Sequence, residues 1–231
     1  MGGEVGWVHQ FKAAQPKAVY ELMKLAYSLV AYRQLVKAYG VPPERIAVIP
    51  NGINQVHFAT APTPQEAKAR LGLQGKLALG FTGFVRDWHG VDRVITWMAS
   101  REAPANTHLL VVGDGPVRAE LEALAASLGL AKRVAFTGVI DRHRVPEHVA
   151  AFDVALQPAV TAYASPLKLM EYLVLGKAIV APREPNLLEV LTDGDNALLF
   201  DNATPAALKL HSPGYVLMRI CAAAWPWGPA A

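Results

Sequence analysis

Cysteine is almost missing from this 231-residue chain: Cys221 stands alone. A single thiol can close no disulfide within the chain and builds no cysteine-rich metal site, and it fits a reducing compartment. Charge of one sign is scarce as well. Lys and Arg number 22 against 19 Asp and Glu, a formal net charge of +3, and no basic block interleaves with aromatics. Nothing there argues for nucleic acid; so mild a balance suits an anionic small ligand or an acidic membrane surface. Uncharged apolar runs of the ~20 residues needed to span a membrane are absent. The opening Met1-Gly2-Gly3-Glu4-Val5-Gly6-Trp7 lacks a basic stretch leading into an apolar one, so no signal peptide is legible. His108, His143 and His148 have no zinc-type spacing, and no Ser-His-Asp arrangement can be assembled.

What is present is apolar. Hydrophobic residues make up 52% and charged residues 18%, enough for a packed core in one large domain, or in one domain and part of another. Residues 17–39 have helical spacing through Val19, Leu22, Met23, Ala26, Leu29 and Val30, ending at Gly40 before Pro42-Pro43. Ile46–Ile49 reads as a short strand, and 54–65, with Pro62 and Pro64, as an irregular polar linker ahead of a short helix at 65–71. Strands and helices then alternate. Strands are expected at 77–81, 108–112, 134–136, 153–156, 178–181 and 197–200. Helices are expected at 91–100, 117–128 (with Pro116 at its first position), 144–151, after Pro166, and at 186–191. This alternation predicts an α/β fold, a Rossmann-like parallel sheet with helices on both faces. Ligands of such sheets sit beyond the carboxyl ends of the strands, where the glycine-bearing loops at Gly83, Gly113, Gly115 and Gly138 fall. The tail beyond Ala207, with Trp225-Pro226-Trp227-Gly228-Pro229, has neither helical nor strand logic.

The most telling stretch is Ser165-Pro166-Leu167-Lys168-Leu169-Met170-Glu171-Tyr172, running into Gly176-Lys177. It follows a strand and opens a helix. Free N–H groups at a helix start can hold a diphosphate, and a carboxylate further along can hold sugar hydroxyls. Glu171 lies in an apolar helix, where an unpaired carboxylate is costly; a ligand or an arginine partner would relieve it. A cation at Lys168 opposes the helix dipole by ~0.3–1 kcal/mol unless an anion sits in front. Arg86 reads equally as a surface arginine, and His89 equally as a turn-packing residue between Trp88 and Gly90.

Residues 40–200 resemble the donor-binding, C-terminal half of a family 4 glycosyltransferase with the two-Rossmann-domain fold. The matching pieces are Gly40-Val-Pro-Pro-Glu-Arg-Ile-Ala-Val-Ile-Pro-Asn-Gly-Ile53, Phe81-Thr-Gly83, Leu110-Val-Val-Gly-Asp-Gly-Pro116, Val134-Ala-Phe-Thr-Gly138, Asp153-Val-Ala-Leu-Gln-Pro158 and Ser165 to Lys177. Each is weak alone; their order and spacing make the match. It implies transfer of a sugar from a nucleotide sugar (UDP-, GDP- or ADP-linked) to a glycan, lipid or small-molecule acceptor. Configuration would be retained, with no metal and no cofactor. It further implies Arg86 and Lys168 as the catalytic cations facing the leaving diphosphate. Gly83, His89, Ser165 and the N–H groups of Leu167 and Lys168 would lie along the donor, Val139 and Ile140 would hold the base through the backbone, and Glu171 would hold the ribose.

Three departures stand out. The family often has a glutamate eight residues before Glu171, where this chain has Tyr163. The loop Gly83-Phe84-Val85-Arg86-Asp87-Trp88-His89-Gly90 puts Phe84 and His89 where an arginine and a lysine are common, resembling a branch with a Trp-His-Gly turn. The acceptor domain is nearly all missing. The expected organisation is therefore a remnant of that domain over 1–39, a donor domain over 40–205 and an irregular tail over 206–231. The expected location is the cytoplasm, with peripheral contact at the inner membrane face as an option. Two other functions stay open: a non-catalytic nucleotide-diphosphate-binding fragment, and a sugar-nucleotide epimerase of the same fold.

Overall fold

The computed structural model of the protein describes residues 25–26, 33, 36, 40, 42–45, 47–49, 51–162 and 164–201. The chain divides into two compact units, Met1–Asn51 with Ala162–Ser165, and Gly52–Thr161 with Pro166–Ala231. In the first, β1 (Leu25–Ala26) pairs in parallel with β2 (Ala47–Val48), Leu25 opposite Ala47. The helix expected over 17–39 is therefore interrupted at β1. A parallel partner offered by residues distant in sequence overrides local helical spacing. Arg33 and Val36 are helical, and Gly40, at φ 60°, donates its N–H to the Val36 carbonyl at 3.0 Å, so the expected glycine stop is present. Most of 1–39, Tyr163 and the tail from 202 onward lie outside the described residues.

The second unit is built from short aliphatic runs that can be buried on both faces, the signature of a parallel sheet. Its strands are β3 (Leu77–Thr82), β4 (Thr107–Val112), β5 (Val134–Phe136), β6 (Val154–Leu156), β7 (Ala178–Pro182) and β8 (Leu198–Phe200). All pair in parallel, in the order β5-β4-β3-β6-β7-β8. Between them run α1 (Gln55–Phe58) and α2 (Pro64–Arg70) ahead of the sheet, then α3 (Val91–Met98), α4 (Arg118–Ser127), α5 (Val145–Ala150) and α6 (Leu167–Val174).

Side chains alternate across the pleat and build two cores. Leu79, Phe81, Leu109, Val111, Val154 and Leu156 face α3 and α4. Ala78, Leu110, Ala155 and Ile179 face α2, α5 and α6. Gly80 has no side chain because Phe152 occupies its place: a Cβ there would lie 2.1 Å from the ring. The chain winds outward from β3 to β5, then returns to start again at β6 on the other side. The β3–β6 junction is thus the topological switch point, where such sheets open a crevice.

Several details differ from the sequence reading. The supposed linker carries α1, which Asn54 caps at Val56 N–H, and Pro64 opens α2. Proline suits a first helical position, and Thr63 with Glu66 completes a capping box there. Val117, not Pro116, precedes α4. Residues 186–191 form a succession of turns instead of a helix. Their hydrogen bonds alternate between three- and four-residue spans (Leu187 to Glu184, Leu188 to Glu184, Val190 to Leu187, Leu191 to Leu187), so no regular ladder propagates.

Lys177, part of the stretch singled out above, is structural. Its buried amine donates to the carbonyls of Ala150 and Phe152, closing the C-terminal end of α5, and burial pushes its pKa down to about 8.

The end of β3 has no strand partner toward β6, whose register stops at Gly80 opposite Ala155. Leu77 and Gly83 donate toward β4, to Asn106 and Val112, so the intervening Thr82 N–H points the other way. It donates instead to the phenol oxygen of Tyr172 at 2.9 Å, from a side chain that is fully buried on α6. Tyr172→Phe strands that N–H. We expect a loss of about 1–3 kcal/mol in urea unfolding, and a shift below ~0.5 kcal/mol would show that the contact contributes nothing.

Candidate functional site

Two loops form the floor of a cleft at the carboxyl edge of the sheet. After β3 the chain turns at Gly83 (φ 124°), and after β4 at Gly113 (φ 141°). The loops lie backbone against backbone. Gly83 N–H donates to Val112 at 2.9 Å and Val85 N–H to Asp114 at 2.7 Å, while the Gly113 N–H donates to the Thr137 hydroxyl at 3.1 Å. A Cβ on Gly113 would sit 2.1 Å from the Gly83 carbonyl oxygen, and one on Gly115 1.9 Å from that of Val85. Only glycine permits so close an approach.

The cleft above has a volume of about 410 Å3, within the ~300–1,000 Å3 common for small-molecule sites. Thr82, Gly83, Phe84, Gly113 and Asp114 line one side. Val139, Ile140 and Val145 line another, and Leu167, Lys168 and Glu171 come from the opening turns of α6. No side chain caps that helix start, since Pro166 has no group to offer, so its leading N–H groups remain available to an anion.

Lys168 is the unusual group. Its side chain is half-buried as a whole, yet the amine tip is fully buried, has no hydrogen-bond partner and rests over the Phe81 ring, 3.7 Å from the centroid. Burial pulls its pKa down to about 7, with Glu171 opposing. Burial pushes the Glu171 carboxyl up, while the Thr82 hydrogen bond and the charges of Arg142, Lys168 and His57 pull it back. His89 also packs on Phe81, ring centroids 5.2 Å apart with the planes inclined at 62°. Its Nδ1 accepts from the Arg86 N–H at 3.0 Å, so the neutral ring carries its proton on Nε2. Burial, then the charges of Lys168 and Arg86, hold its pKa down at about 4.

Of the residues named from sequence, Gly83, Val139, Ile140, Leu167, Lys168 and Glu171 line one cleft. His89 does not line it and packs instead against Phe81. Arg86 does not line it; its guanidinium is stacked between the exposed rings of Phe84 and Trp88, 5.0 Å from each centroid. Ser165 belongs to the first unit, where its carbonyl accepts from the Asn51 amide at 3.0 Å.

Sequence reasoning missed Thr82, Tyr172, Arg142 and His57. Thr82 stands in Phe81-Thr82-Gly83, a piece that carries the family resemblance without pointing to the hydroxyl. Nothing local pairs His57 with Arg142, whose carbonyl lies 2.9 Å from the imidazole Nε2. Among the described residues, no group of three His, Cys, Asp or Glu side chains is arranged to hold a metal ion, and no helix is long and apolar enough to cross a membrane.

A doubly wound sheet whose switch point holds an uncapped helix start, an unpartnered amine and a carboxylate is the architecture of a Rossmann-like α/β domain. The chain belongs to the glycosyl transferases group 1 family, whose model matches residues 64–212. It is 31% identical to a D-inositol 3-phosphate glycosyltransferase of Acidothermus cellulolyticus, over 75% of this chain and 41% of that protein. It is 33% identical to a 2-deoxystreptamine glucosyltransferase of Streptomyces kanamyceticus, over 54% of this chain and 34% of that one. The chain thus spans well under half the length of these curated relatives. Among solved structures, Anabaena Alr3699/HepE in complex with UDP shares the fold with a TM-score of 0.73 at 22% identity, covering 87% of this chain and 57% of that one.

Proposed function

We propose that this chain supplies the donor-nucleotide half of a glycosyltransferase that moves a sugar from a nucleotide sugar to an acceptor, retaining configuration and using no metal. The single observation carrying this reading is the buried, unpartnered Lys168 amine at the uncapped start of α6, beside Glu171 in the same cleft. A diphosphate placed there would accept from the helix-start N–H groups of Leu167 and Lys168, and would give the amine the partner it lacks. Charge grows on that diphosphate as the sugar departs, so donors fixed in advance stabilise the transition state. Glu171 would take the ribose hydroxyls, and the backbone at Val139 and Ile140 the base. Arg86 could add a second cation only by leaving its place between Phe84 and Trp88. Binding of UDP by a protein of the same fold supports a nucleoside diphosphate as ligand.

The direct test is thermal unfolding and calorimetry with UDP, GDP and ADP. At a ligand concentration of ~100 Kd, one of them should stabilise the protein by about 2.7 kcal/mol, and excess chelator should leave that unchanged. Absence of heat and shift with all three, in folded protein, would end the reading. Glu171→Ala should weaken the bound nucleotide about ten- to hundredfold, the worth of hydrogen bonds to a charged group. Unchanged affinity would remove the ribose assignment. Retention is checked by the anomeric configuration of the product with a nucleotide-sugar donor.

A further inference from the structure

The Glu171 carboxylate does not stand alone in the cleft. Its Oε2 lies 3.5 Å from the Thr82 hydroxyl, and that hydroxyl lies 3.2 Å from the phenol oxygen of Tyr172. The direction of the chain follows from the third contact. The phenol oxygen already accepts the Thr82 backbone N–H at 2.9 Å, so its own proton is free for the Thr82 oxygen, whose proton then turns to the carboxylate. Tyr172 is fully buried and Thr82 nearly so, at 4% exposure, whereas Glu171 is half-buried and borders the cleft. The first two are thus locked by packing; Thr82 also borders the cleft, but Glu171 is the member of the three that presents a charged group to it.

We propose that Thr82 and Tyr172 are positioning residues for Glu171: their relay fixes one carboxylate oxygen and aims the other at a vicinal diol, the ribose of a nucleoside diphosphate. This inference rests on the nucleotide-binding reading above. The physical need is plain. A glutamate on a helix has three rotatable torsions, and freezing them only when ligand arrives takes free energy from binding. An oxygen held beforehand by a buried hydroxyl avoids that loss. The hydroxyl also favours the charged carboxylate against burial, which pushes the other way. The relay joins residues ninety positions apart, the end of β3 and the second turn of α6. It therefore sets the two walls of the cleft at a fixed distance.

The experiment compares whichever of UDP, GDP and ADP binds the chain most tightly with its 2′-deoxy counterpart, by calorimetry. The wild type should prefer the ribonucleotide by about tenfold or more, the worth of one charge-assisted hydrogen bond. Glu171→Gln should reduce the preference sharply. Thr82→Val should bring it below about threefold with deoxynucleotide affinity unchanged, and Thr82→Ser should restore it. Tyr172→Phe should act like Thr82→Val in the same assay, whatever its unfolding midpoint.

A Thr82→Val protein that keeps the full preference overturns the proposal. So does one that loses affinity for ribo- and deoxynucleotide alike, since that marks damage to the cleft and not to the diol contact. A wild type that binds both forms equally removes the ribose role of Glu171, and the relay proposal with it, while leaving the diphosphate site standing. A protein that binds none of the nucleotides removes the proposed function itself.

Discussion

Lys168→Ala should lower turnover of the intact protein by about 10²–10³-fold while moving the donor KM by less than about tenfold, because the contact with the bound diphosphate is partly offset by recharging the amine and strengthens further as charge builds on the leaving group. The unliganded state explains the asymmetry. The amine is buried over Phe81 with no acceptor, and burial brings its pKa to about 7. Near pH 8.5 it is largely neutral and contributes little charge until a diphosphate arrives and restores the ammonium.

Binding should therefore take up protons. In calorimetry repeated in buffers of different ionisation enthalpy near pH 8.5, uptake should approach one proton per nucleotide in the wild type and fall toward zero in Lys168→Ala. The same shift has a sign for stability. The folded pKa lies below that of the unfolded side chain, so between about pH 7 and 10.5 the unfolded state holds the extra proton, and the contribution of this group to stability rises with pH across that window. Equal losses in kcat and KM, or proton uptake unchanged in the mutant, would take Lys168 out of the chemistry.

Gly113→Ala should be the most damaging single methyl group in the cleft. Its backbone sits at φ 141°, and the added Cβ would meet the Gly83 carbonyl oxygen at 2.1 Å. Strain and overlap each cost about 1–3 kcal/mol, and the two loops cannot separate without breaking the Gly83 to Val112 and Val85 to Asp114 hydrogen bonds. The expected loss is about 3 kcal/mol, roughly 6–12 °C in Tm for a domain of this size, together with loss of nucleotide binding. Gly129→Ala is the control. That residue also has positive φ, at 71°, but an added Cβ meets nothing within 4 Å, so it should cost only about 1 kcal/mol from the backbone alone. Matching penalties at the two positions would show that close approach of the loops is not what Gly113 secures.

Much of the fold could be foreseen because its units are local. An apolar run such as Leu77–Thr82, bounded by Gly75 and Gly83, is a strand whichever neighbours it acquires, and six such runs separated by helices leave few topologies. The misreadings occur where local rules meet tertiary ones. Pro64 reads locally as a breaker but starts a helix, because Thr63 and Glu66 cap it. Leu25–Ala26 left a helical pattern for a strand partner about twenty residues away.

The candidate site divides in the same way. By itself the sequence determined the parallel α/β fold, the glycine loops and the loop-to-helix stretch bearing Lys168 and Glu171, since each depends on spacing within one turn or one strand. Tertiary structure decided what those side chains face. The Lys168 amine is unpartnered because Phe81, from a strand 87 residues earlier, closes over it. Glu171 is aimed by Thr82 and Tyr172 because α6 packs against the unpaired end of β3. Arg86 leaves the cleft for two aromatic rings. Burial and cross-element contacts set ionisation and direction, and neither quantity is encoded within any single segment.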